Sequence, residues 1–352
     1  MNTAVLDKLL TFAVQQEASD IHITAGNPPI VRIHGQLKRI DSKVLSNENL
    51  TELVKSMLSQ EQHDFFYKQK EIDIAYSVKG VARFRTNVYL QLHGISIALR
   101  VIPEKIRSLE GLGAPAGVYY LAREQEGLVL VTGPTGSGKS TTLAAMIDLI
   151  DSERQMHIIT IEDPIEYVYK GKKCLINQRE LGPHTLSFAN ALRAVLREDP
   201  DVILIGEMRD LETISLALTA AETGHLVFAT LHTNSAAETV NRIVDVFPAG
   251  QQDQIRAQFS NSLLGVVSQR LLPTLNGKGR VAAMEIMIAN PAVKNMIREG
   301  KTHQIPSLIQ TGGQFNMQSM DQSLMKHILD KKISIEQAIL FAHDVSFFRK
   351  AS

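Results

Sequence analysis

Gly133-Pro134-Thr135-Gly136-Ser137-Gly138-Lys139-Ser140 constrains this chain more than any other stretch. It lies between an apolar run, Leu128–Thr132, and a helix-forming run that begins at Lys139. A strand that turns into a helix through such a glycine-rich loop is the setting in which G-x4-G-K-S cradles phosphates. The glycines let backbone N–H groups converge on the anion, and the helix directs its positive N-terminal end there. Lys139 is expected to neutralise the β- and γ-phosphates, and the Ser140 hydroxyl to ligate Mg²⁺. Pro134, Thr135, Gly136, Ser137 and Thr141 complete the nucleotide-binding set, with ATP and Mg²⁺ as ligands.

Around that loop the pattern is strand then helix, repeatedly: Met156–Ile161, helix 186–197, Val202–Ile205, helix 211–222, Leu226–Leu231, helix 235–245. Such alternation predicts an α/β unit with a mostly parallel sheet and helices on both faces. Upstream the pattern differs. A helix over 3–17 carries Val5, Leu6, Leu9, Leu10 and Ala13 on one face. Short strands are expected at Ile21–Thr24 and Ile30–His34. Ser46 caps a helix whose Leu50, Leu53, Val54, Met57 and Leu58 face inward. Three alternating strands follow at Ile72–Val78, Val81–Leu90 and Ile95–Ile102. The organisation is therefore a small α+β domain over 1–102, a Pro/Gly-broken linker over 103–117 that starts at Pro103, and an ATPase domain over 118–352. Near the end, Asn276-Gly277-Lys278-Gly279 turns a hairpin into Val281–Ile288, and helical segments fill the remainder.

Composition excludes several classes. Basic and acidic side chains balance at 37 each, which gives no reason to expect nucleic acid as a partner. A single cysteine, Cys174, rules out a disulfide framework and a four-thiolate zinc site, and its apolar neighbours mark a buried, inert thiol. No stretch approaches the ~20 apolar residues that span a bilayer, and no signal peptide opens the chain. A cytoplasmic protein that meets membranes only through a partner is expected.

Hydrolysis needs carboxylates beside the loop. Asp201-Val202-Ile203-Leu204-Ile205-Gly206-Glu207 is a buried strand ending in an acid, and Glu162-Asp163-Pro164-Ile165-Glu166 follows another apolar strand. Strand C-terminal ends gather on one edge of a parallel sheet, so both clusters and the loop are predicted to share one site. His232 follows a strand on that edge as a candidate γ-phosphate donor, whereas His225 precedes the same strand and sits at its other end. Strand alternation puts Arg83 and Arg85 on one polar face, and Arg100 of the returning strand is a candidate third. From the residues alone a solvated surface and an anion-binding face both fit.

Together the loop, Ile161–Tyr167, Ile205-Gly206-Glu207-Met208-Arg209-Asp210 and His225–Asn234 resemble the motifs of secretion-superfamily ATPases, and more narrowly the type IV pilus retraction ATPases, the PilT family of twitching motility. The likeness runs from Ala18-Ser19-Asp20-Ile21-His22 to Gln318–Gln322. It implies a PAS-like N-terminal domain, a RecA-like ATPase domain, and a homohexamer. It also implies pilus disassembly driven through an inner-membrane platform protein, with the motor peripheral at that membrane and a paralogous ATPase as a further partner. Under the resemblance Glu166 activates the attacking water and Glu207 organises Mg²⁺, though which of the two is the base stays open. Glu162, Asp163, Arg209 and His225 accompany them, and Arg83, Arg85 and Arg100 reach the nucleotide between domains. Ala292-Val293-Lys294-Asn295-Met296 occupies the place of a retraction motif, with lysine and methionine departing from its usual form. Competing readings are an accessory retraction paralogue, which shares every motif, and a pilus extension or type II secretion ATPase. The latter usually carry an extra N-terminal domain and a four-cysteine zinc insertion, and the single cysteine and the early start of the PAS-like segment argue against them. A binding-only regulator need not keep both Glu166 and Glu207.

Overall fold

The computed structural model describes residues 3–33, 35–102, 105–277 and 279–348. His34, Pro103 and Lys278, expected in a strand, the linker and the hairpin turn, lie outside the described residues. The chain divides into two compact units, Met1–Lys105 and Ile106–Ser352.

The first unit contains α1 (Thr3–Gln15), β1 (Ala18–Thr24), β2 (Ile30–Ile33), β3 (Gln36–Arg39), α2 (Asn47–Met57), α3 (Gln60–Gln69), β4 (Glu71–Val78), β5 (Ala82–Gln91) and β6 (Gly94–Ile102). Its six strands form one antiparallel sheet in the order β3-β2-β1-β6-β5-β4. The predicted alternation along β5 is observed: Ala82, Phe84, Thr86 and Val88 are buried, and Arg83, Arg85, Asn87 and Tyr89 are more exposed. Leu6, Leu10 and Ala13 bring α1 onto this core, whereas Val5 is 51% exposed and lies off the buried stripe. Ser46 does cap α2: its hydroxyl accepts from the Asn49 N–H while the Asn49 side chain accepts from the Ser46 N–H.

The second unit begins inside the stretch expected to be linker. Leu109 is already part of its core, and α4 (Ala116–Ala122) starts within the predicted boundary at 117. It continues through β7 (Gly127–Thr132), α5 (Lys139–Glu153), β8 (His157–Glu162), β9 (Leu175–Glu180), α6 (Phe188–Val195), β10 (Val202–Ile205), α7 (Leu211–Glu222), β11 (Leu226–Leu231), α8 (Ala236–Asp245), α9 (Gln252–Ser262), β12 (Leu263–Pro273), β13 (Arg280–Ile288), α10 (Pro291–Arg298), α11 (Ile305–Thr311), α12 (Met320–Leu329) and α13 (Ile335–Ile339). The sheet order is β13-β12-β7-β11-β10-β8-β9, parallel throughout except for the β12–β13 pair. Every residue of β7, β10 and β11 is buried, because helices cover both faces of a parallel sheet. Each fully buried aliphatic side chain there contributes roughly 1.5–3 kcal/mol, which makes these strands a rigid platform.

Register fixes what the platform presents. Thr132 of β7 lies opposite Leu231 of β11, and Ile205 of β10 lies opposite both Ala229 of β11 and Ile161 of β8. The loops after these four strands therefore leave the same edge at nearly the same height. Sequence patterning missed β3, α3 and β9, and gave no bounds to β12. β3 is exposed along its whole length and β9 carries Asn177 and Arg179, so neither has the apolar alternation that marks a strand. Among the described residues no helix is long and apolar enough to cross a membrane.

Candidate active site

The loop after β7 is the centre of that edge. Gly133 takes φ of +141°, and a Cβ there would lie 2.4 Å from the Gln269 carbonyl oxygen and 2.6 Å from the Ser137 hydroxyl. Gly138, at φ +89°, is the left-handed N-cap from which α5 starts. Both positions demand glycine, for close approach in the first case and for backbone conformation in the second. Lys139, the first residue of α5, folds back over the loop. Its ammonium donates to the Gly133 carbonyl at 2.8 Å and to the Pro134 carbonyl at 3.2 Å. Burial depresses its pKa, while the charges of Glu207 and Glu166 act in the opposite direction. Both glutamates are thus close enough to Lys139 to be felt electrostatically.

Glu207 sits just past β10 on a turn pinned to both neighbours. The Gly206 N–H donates to the Ile161 carbonyl at 2.8 Å, and the Met208 N–H to the Thr230 carbonyl at 3.1 Å. Its carboxylate bridges Arg209 at 2.8 Å and His232 at 3.2 Å, and the other ring nitrogen of His232 lies 3.5 Å from the Lys139 ammonium. Burial pushes the Glu207 carboxyl up, but hydrogen bonds and charge from Arg209 and His232 outweigh it and hold the group below the ordinary carboxylate value. The same pairing raises Arg209, with Asp163 adding to it.

Glu162 ends β8 and is buried, which raises its pKa against three opposing hydrogen bonds. It accepts from the Thr160 hydroxyl at 2.6 Å, the Gln178 amide at 3.2 Å and the Glu166 N–H at 3.4 Å. Glu162 is therefore an anchor for the loop that carries Glu166, while the Glu166 side chain itself is exposed. Tyr167 extends that loop to α5 through a hydroxyl contact with Thr141 at 2.9 Å.

His225 precedes β11 at the opposite rim, where its ring bonds the Ala220 carbonyl at 2.9 Å and the Thr223 hydroxyl at 3.2 Å. It secures the end of α7. Arg85 and Arg100 face each other across β5 and β6 in the first unit, and Arg100 pairs with Asp20 at 2.9 Å. A cavity of about 360 Å³ there is lined by Asp20, His22, Asp73, Arg85, Asn87 and Arg100. Cys174 is buried, and burial raises its thiol, as expected for an inert sulfur.

A doubly wound parallel sheet with a glycine loop at one strand end, and two acids and a histidine grouped around the loop lysine, defines a P-loop ATPase of the RecA-like kind. The family described as type II/IV secretion system protein matches residues 2–339, and this chain belongs to it. A twitching motility protein of Neisseria gonorrhoeae is 53% identical over 335 residues, covering 95% of this chain and 89% of that one. The type IV pilus retractation ATPase PilT of Pseudomonas aeruginosa is 51% identical over 333 residues, covering 95% and 96%. Among solved structures, the pilus retraction motor PilT with bound ADP superposes with a TM-score of 0.91 at 48% identity, covering 98% of each chain. The chain is accordingly a secretion-family ATPase with an N-terminal domain ahead of its ATPase domain.

Proposed function

We propose that this chain is an ATP-hydrolysing motor that powers type IV pilus retraction. The observation that carries the proposal is the grouping of Lys139, Glu166, Glu207 and His232 on one sheet edge, in a chain half identical to a retraction ATPase along 95% of its length. Phosphoryl transfer requires little covalent chemistry from protein, so positioning and charge carry the catalysis.

Loop N–H groups from Gly136 to Thr141 receive the phosphates, and Lys139 exchanges its carbonyl contacts for phosphate oxygens. Glu207, held ionised by Arg209 and His232, is a weak base and a good acceptor, which suits it to organising a cation. Glu166, anchored through Glu162 but free of an ion pair in the described contacts, takes a proton from the attacking water. His232, between Glu207 and Lys139, donates toward the γ-phosphate. The donors at hand for Mg²⁺ are the Ser140 hydroxyl and the Glu207 carboxylate, a hard-oxygen set that fits this ion. Mg²⁺ would share these two donors with the phosphate oxygens and neutralise their charge. The working form is a cytoplasmic homohexamer acting on an inner-membrane pilus platform protein.

The test is a cell in which the chain is deleted, scored for pilus number and surface motility together. A retraction motor leaves many pili that do not pull. Cells without pili would identify an extension motor and overturn the proposal.

A further inference from the structure

Gln269 lies one residue past Ser268 on β12, and Ser268 is the register partner of Thr132, the last residue of β7 before the glycine loop. The two hydroxyls join at 2.7 Å, so β12 is locked to the strand that launches the loop. Gln269 is only 2% exposed, yet both ends of its amide are engaged. Its Nε2 donates to the Ser137 carbonyl at 2.6 Å, and its Oε1 accepts from the Thr142 hydroxyl at 2.9 Å. The amide has one orientation only, because a carbonyl can accept but not donate. The Gln269 main-chain carbonyl closes on Gly133, where an added Cβ would stand 2.4 Å away. A single residue of β12 thus bonds the loop at Ser137 and α5 at Thr142, on both sides of Lys139 and Ser140, while its backbone closes on Gly133.

We propose that Gln269 is a positioning residue for nucleotide binding, setting the loop in its phosphate-receiving conformation before the ligand arrives. The proposal rests on the glycine loop being the nucleotide site. Backbone N–H groups can converge on an anion only if the opposing carbonyls turn outward and are satisfied there. The Ser137 carbonyl is such a group, and Gln269 is its partner. Ser137 and Thr142 are themselves almost fully buried, at 3% and 2% exposure, so water cannot easily replace the amide. Removing it leaves a buried carbonyl and a buried hydroxyl unpaired and frees the loop to find other arrangements.

The experiment measures ADP affinity by fluorescence titration, alongside the melting temperature of the nucleotide-free protein, for wild type, Gln269→Met, Thr142→Val and the double variant. Gln269→Met keeps the volume and deletes both hydrogen bonds, and is expected to weaken ADP about tenfold or more. Thr142→Val is expected to weaken it by a smaller factor, with the double variant no worse than Gln269→Met because one clamp is being removed. Gln269→Met and Thr142→Val binding ADP within twofold of wild type would overturn the proposal, even if melting temperatures fell. Should Gln269→Met not fold, Thr142→Val decides alone by the same criterion. Failure of the wild-type chain to bind ADP is a separate result, and overturns the nucleotide site itself.

Discussion

Lys139→Ala removes the ammonium that the structure places over the glycine loop. A charge pair at about 4 Å is worth about 4 kcal/mol at the effective dielectric of a protein surface. That gain is not free, since in the ligand-free site the ammonium already bonds the Gly133 and Pro134 carbonyls and feels the charges of Glu207 and Glu166. Exchanging two such hydrogen bonds offsets about 1–1.5 kcal/mol each, leaving about 1–2 kcal/mol in binding. ATP affinity should therefore fall roughly 5–30-fold at 1.4 kcal/mol per decade. Turnover should fall further, by about 10²-fold or more, because the charge on the phosphate oxygens develops most in the transition state. Alanine is a strong helix former at the first position of α5, so the fold should survive, which circular dichroism can verify. The assay is phosphate release under saturating ATP and Mg²⁺, with nucleotide titration in parallel. A variant that hydrolyses ATP within threefold of wild type would refute the reasoning.

Three more outcomes follow from the same geometry. Glu166→Gln should retain nucleotide binding but lose about 10²–10⁴-fold in turnover in phosphate-release assays, as expected for removal of a general base. Gly133→Ala should abolish nucleotide binding, because its Cβ meets the Gln269 backbone carbonyl at 2.4 Å, and calorimetric titration checks this. Glu162, with its folded pKa raised above the ordinary 4.5, favours the fold when protonated, and that contribution is lost as pH rises through the folded value. The melting-temperature difference between Glu162→Gln and wild type should therefore move in the variant's favour as pH rises above 4.5, through the window up to the raised pKa.

Much of the site could be read from sequence because its signals are local. The loop Gly133–Ser140 carries its own strand and helix flanks, and the acids at Glu162 and Glu207 each end an apolar run. Parallel pairing then does the rest, since it brings strand ends to one edge whatever the strand order. What escaped reading is non-local. Gln269 looks like any polar residue in Ser268-Gln269-Arg270 until β12 is placed beside β7, 136 residues away in the Thr132–Ser268 contact. β9 escaped because it ends the sheet with exposed and half-exposed positions such as Leu175 and Ile176, so hydrophobic period says little there. The prolines and glycines of 103–117 predict a linker, yet Leu109 is buried in the second core, and one buried leucine among turn residues is too weak a signal to find.

The most direct measurement is a crystal structure of the chain with a non-hydrolysable ATP analogue and Mg²⁺. The site described above predicts the triphosphate against the loop N–H groups with Lys139 on its β- and γ-oxygens, and with Glu166, Glu207 and His232 gathered around the terminal phosphate. A triphosphate bound away from Lys139, or with both glutamates remote from its γ-phosphate, would contradict the assignment.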